Sequence, residues 1–167
     1  MGLVKWIIVS LRIPGTWVDQ SACVERALEV ASVRAGDCQA ASSMDLLKAV
    51  LEIQDAGIRR LLVTLGCDPQ ALLQQASGLQ QSGRRADKSC LAVIRDAYRV
   101  VPATAIHLVT TDGFIVNRKQ VLHSCHLIAG FSRHRRSDAS LLLRQHGVGL
   151  ERAPDLAAAW STFHDAG

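Results

Sequence analysis

The stretches Cys23 to Leu73 and Cys90 to Arg152 carry one helical pattern twice, and a duplicated pattern restricts a fold more than any single motif does. Met44-Asp45-Leu46-Leu47-Lys48-Ala49-Val50 aligns with Cys125-His126-Leu127-Ile128-Ala129-Gly130-Phe131. Leu61-Leu62-Val63-Thr64-Leu65-Gly66 aligns with Leu142-Leu143-Arg144-Gln145-His146-Gly147. Both alignments share an offset of 81 residues, from Met44 to Cys125 and from Leu61 to Leu142. The preceding helices align at 66, pairing Ala27-Leu28 with Val93-Ile94 and Ala31 with Ala97. The second copy therefore holds about fifteen extra residues (81 minus 66) after its first helix, the mark of a duplication with one insertion.

A chain of 167 residues buries roughly 70% of its unfolded surface, so a single pseudo-symmetric domain over residues 1–167 needs no metal or disulfide to hold it. Apolar residues make up 49% and charged residues 20%, outside the composition of disordered chains. The five cysteines, Cys23, Cys38, Cys67, Cys90 and Cys125, form no C-x-x-C pair and fall mostly at apolar helical positions. That usage fits a reducing cytoplasm. The apolar run Leu3 to Ile13 is interrupted by Lys5 and Arg12 and is too short to span a bilayer, so neither membrane anchoring nor secretion is expected.

Ser21 caps a first helix whose apolar positions are Val24, Leu28, Ala31 and Ala35, closed by Gly36. Ser42 or Ser43 caps a second through Ile53, a third runs Ile58 to Leu65, and Asp68-Pro69 starts a fourth. This first repeat covers about residues 21–77, followed by a polar, glycine-containing linker at about 78–88. The second repeat, about 89–163, has helices at Lys88 to Val100, Lys119 to Phe131, Ala139 to His146 and from about Leu150 to Phe163. Its insertion, about 103–118, reads as a hairpin, with Ile106 to Thr110 and Phe114 to Val116 flanking Asp112-Gly113. A lone hairpin is marginal in water. The Val- and Ile-rich run Leu3 to Ile13 is its expected partner, in a three-stranded antiparallel sheet beside the helices. The fold class is mainly α, about eight helices in two halves with a small β element.

The order of helix, H-L-L-x-G-L-like helix, short leucine helix, glycine stop and final helix, run through twice, resembles the Clp repeat domain at the N-terminus of ClpA, ClpB and ClpC chaperone ATPases. Its carriers are Asp45 to Leu51 and His126 to Phe131, followed by Leu61-Leu62 to Asp68 and Leu142-Leu143 to Leu150. The resemblance covers about residues 21–160. It implies a non-catalytic module that binds adaptors or unfolded clients and works with a Clp chaperone or protease, as an adaptor or a regulator. It also places candidate protein-binding positions at Met44, Asp45, Cys125 and His126. In ClpC-type domains an acidic residue before each H-L-L motif resembles a phosphoarginine-binding position. Met44 and Cys125 stand at those places and cannot pair with a guanidinium, so binding is expected to rest on apolar groove contacts.

No nucleotide-binding loop accompanies the repeats. The nearest string, Gly78 to Arg85, lacks the phosphate-reaching lysine and the Mg²⁺-ligating hydroxyl, so ATP hydrolysis is not expected. His123, Cys125 and His126 lie close in sequence, yet a helix sets Cys125 off the face that the two histidines share, which does not make a zinc set. Cys125 beside a histidine lacks the orienting third group of an activated nucleophile, and no carboxylates are paired for acid–base work. No catalytic, cofactor or metal residue is assigned. The net charge of +4 includes the pairs Arg59-Arg60 and Arg84-Arg85 and the run Arg133-His134-Arg135-Arg136. The alternative reading is a small basic nucleic-acid-associated regulator, but aromatics at 4% offer no interleaved platform for stacking bases.

Overall fold

A computed structural model of the chain describes residues 16–36, 41–53, 55–79, 89–101, 104–110, 113–134 and 136–164. Among these residues the fold is mainly α, with a small sheet. Its strands are β1 Thr16–Gln20, β2 Thr104–Thr110 and β3 Gly113–Leu122. The helices of the first half are α1 Ala22–Ala35, α2 Ser43–Glu52, α3 Ala56–Thr64 and α4 Pro69–Gly78. Those of the second are α5 Ser89–Tyr98, α6 Ser124–Arg133, α7 Asp138–Gln145 and α8 Ala153–His164.

Helix starts follow local side-chain chemistry. Ser21 Oγ accepts from Val24 N at 3.4 Å, Ser42 Oγ from Asp45 N at 3.1 Å, and Asp68 Oδ1 from Gln70 N at 3.0 Å with Pro69 just inside. Each satisfies an amide that the helix itself cannot. The ends of α3 and α7 share one solution. Gly66 and Gly147, at φ 84° and 73°, take the left-handed conformation that a Cβ penalises. Cys67 N then donates to Leu62 O at 2.9 Å and Val148 N to Leu143 O at 3.0 Å, closing both helices in the same way.

The aligned apolar residues are the core. Leu46, Leu47, Leu61 and Leu62, and their counterparts Leu127, Ile128, Leu142 and Leu143, are all at most 2% exposed and belong to one cluster drawn from both halves. Burying each such side chain contributes about 1.5–3 kcal/mol. Within the halves α1 packs on α2 as α5 does on α6, and α2 on α4 as α6 does on α8. Between them α3 packs on α6 as α7 packs on α2, a reciprocal exchange that closes the leucine seams against each other. The α5–α6 crossing is so close that a Cβ at Gly130 would lie 2.4 Å from Val93 O.

The sheet departs from expectation in two respects. The hairpin is present, with Thr110 paired to Gly113 and Thr104 to Lys119, but β3 continues to Leu122, so Lys119 to Leu122 is strand and not the start of a helix. Pairing with β1 holds that extension: Thr16 opposes Arg118 and Gln20 opposes Leu122. The partner strand is parallel to β3, giving a mixed sheet of order β1-β3-β2 in place of an antiparallel one. The physical reason lies at the strand ends, because β1 runs through Ser21 into α1 and β3 through His123 into α6. Ser21 N donates to Leu122 O at 3.0 Å, so the two strands reach their helices side by side and in one direction. Leu3 to Ile13, the expected partner strand, lies outside the described residues, as does most of the linker at 78–88.

Candidate functional site

The four candidate binding positions occupy equivalent places, the second and third residues of α2 and of α6. In the first half Ser42 and Asp45 form a capping box: Asp45 Oδ2 accepts from Ser42 N at 3.0 Å and from Ser42 Oγ at 2.7 Å. In the second, His126 takes the part of Asp45, its Nδ1 accepting from His123 N at 2.9 Å. Two chemically different residues thus serve the same backbone amide at an interval of 81. All four side chains are buried, from 8% exposed at Met44 to none at His126. They set the starts of the two central helices from beneath the surface.

An imidazole that accepts at Nδ1 keeps its proton on Nε2 when neutral. That Nε2 is buried without a hydrogen-bond partner, and the absence of solvent, followed by the neighbouring His123, lowers the His126 pKa from 6.5 to about 4. His126 is therefore neutral at physiological pH. With Nδ1 engaged by the backbone, only one ring nitrogen remains for any other partner. Among the described residues no three of His, Cys, Asp and Glu are placed to hold a metal ion.

Burial first, and then the charge of Asp55, pushes the Cys125 thiol up to about 12, so it stays protonated and unreactive. Cys23 and Cys67 are raised in the same direction, chiefly by burial. Asp55 was not singled out by sequence. It precedes α3, makes no cap of its own, and accepts from Ser124 Oγ across the join between the halves, while His146 Nε2 and Gln75 Oε1 meet at a second join. Nothing in the chain marks residues so far apart as partners; only the reciprocal packing of α3 and α6 does.

The basic residues separate by half. Arg59 and Arg60 are exposed on α3, while Arg84, Arg85 and Arg135 lie outside the described residues. Arg133 and Arg136 are exposed at and beyond the end of α6. Between them, His134 turns back to α5, its Nε2 2.7 Å from Asp96 Oδ2. Asp96 also meets Arg99 Nη1 at 2.9 Å and Arg95 Nε at 3.8 Å. The i,i+3 pairing of Asp96 with Arg99 is readable in the sequence; the contact with His134 is not.

No protein-family model matches the chain, and no curated protein sequence matches it. No helix among the described residues is long and apolar enough to cross a membrane.

Proposed function

We propose that this chain is a non-catalytic protein-binding module of Clp repeat type, an adaptor or regulator that docks a Clp chaperone ATPase, its adaptors or its unfolded clients in the cytoplasm. The supporting observation is the repeat of leucine seams and glycine stops in the second and third helices of each half at an interval of 81 residues, with the first helices at 66, closed by reciprocal packing into one core. A doubled helical unit of this kind spends its apolar faces on itself and offers helix surfaces to partners. The protonated thiol of Cys125 and the neutral, backbone-bound ring of His126 accord with a docking role and give no activated nucleophile. Because Met44, Asp45, Cys125 and His126 are buried, recognition then falls to exposed side chains. Exposed apolar residues available for it include Val33 on α1, Val63 on α3, Leu91 on α5 and Leu141 on α7.

The test is direct binding of the purified chain to a full-length Clp ATPase immobilised on a sensor, with degradation of an unfolded client followed in parallel. Saturable binding with a change in degradation rate is expected, and replacing Val63 or Leu141 by Ser should weaken it. Absence of both binding and any rate change would overturn the proposal.

A further inference from the structure

The two halves of the core are built alike, but their corresponding corners carry different charge. In the first half, among the described residues, the ends of α1 and α2 are joined by one charge-balanced pair, Arg34 Nη2 to Glu52 Oε1 at 2.5 Å. The position aligned with Glu52 in the second half is Arg133, an interval of 81 residues. At that second corner Arg95, Arg99 and His134 meet one carboxylate among the described residues, Asp96, and Arg133 and Arg136 flank His134 in the chain. Asp96 is only 5% exposed and is already engaged by Arg99 and His134. The next acid, Asp138, sits in the first turn of α7, where it offsets that helix's own N-terminal charge.

Basic side chains at helix C-termini complement the backbone dipole, which accounts for one arginine on each helix. It does not account for the surplus, since the first corner is completed by one balanced pair. Arg133 and Arg136 remain exposed with no acidic partner among the described residues, and Arg95 and Arg99 are each more than half exposed. The patch also offers no ring for stacking, because Tyr98, the aromatic residue of α5, is 7% exposed.

We propose that the corner formed by the ends of α5 and α6 docks a carboxylate-rich segment of a partner protein, with Arg133 and Arg136 as the principal contacts. Asp96 keeps His134 and Arg99 in place, so the exposed guanidinium groups are presented by a fixed base. This surface rests on its own charges and does not depend on the partner being a Clp ATPase.

The experiment measures fluorescence anisotropy of a labelled poly-glutamate peptide and, separately, of a labelled single-stranded oligodeoxynucleotide, each titrated with the full chain at low and at physiological salt. Binding of poly-glutamate that weakens as salt rises is expected, because exposed charges are screened beyond about 10 Å at 0.1 M. The double variant Arg133→Gln/Arg136→Gln should lose about tenfold in affinity, with its circular dichroism unchanged since neither side chain supports the core. The control Arg59→Gln/Arg60→Gln removes the same charge from α3 and should leave binding near its original value. Equal losses in the two variants would show only a response to net charge and would overturn the proposal. So would binding of the oligodeoxynucleotide in preference to poly-glutamate, or binding of neither.

Discussion

Asp45 and His126 perform one task with different chemical groups. A carboxylate at the third position of a helix is the ordinary acceptor of a capping box, and Ser42-x-x-Asp45 is legible in the sequence for that reason. A histidine can accept only while neutral, and burial holds His126 so, with a pKa of about 4 against 6.5 when unfolded. Between these values the unfolded chain binds a proton that the folded chain does not. Stability is therefore full above pH 6.5, falls as pH drops toward 4, and levels off below it. The loss over that interval amounts to roughly 3 kcal/mol. Urea midpoints measured across the interval should show it, and His126→Asn, which can still accept from His123 N, should flatten it. An equally steep profile in the variant would assign the effect to other groups.

Helices were legible wherever their ends carry local chemistry. Ser21, Ser42 and Asp68 cap as their side chains require, and Gly66 and Gly147 stop α3 and α7 because only a residue without a Cβ adopts their φ cheaply. The strands were not legible at their ends. Lys119 to Leu122 is compatible with helix or strand, and its state is decided by β1, a segment about a hundred residues earlier in the chain, whose pairing no local window contains. Gly130 shows the same limit. Its place in an apolar helix predicts no special role, but Val93 O and Ala97 occupy the space a side chain would need. Gly130→Ala should cost about 1–3 kcal/mol through separation of α5 from α6, despite the higher helix propensity of alanine. Thermal denaturation checks this; a neutral or stabilising result would mean that the crossing is looser than the structure shows.

Across the molecule, neither half is closed on its own. The leucines of α2 and α3 face α7 and α6 of the other half, and the polar contacts Asp55 to Ser124 and Gln75 to His146 join the same surfaces. A repeat that hides part of its apolar surface against its neighbour folds with it. The full chain is therefore expected to unfold in one step, with far-ultraviolet circular dichroism and tryptophan fluorescence giving the same urea midpoint. A fragment of residues 16–79 should show no cooperative transition. A sharp transition in that fragment would assign the first half its own core.

The chain alone determined the doubling, the helix starts and stops, and the residues that line the core, because periodicity, capping and the conformational freedom of glycine act within a few residues. Tertiary structure decided the direction of β1, the burial of the four candidate binding positions, the tie between Asp55 and Ser124, and the approach of His134 to Asp96. Those depend on which surfaces meet once two similar halves exchange contacts, and the free energy of that meeting is shared among groups that sequence distance keeps apart.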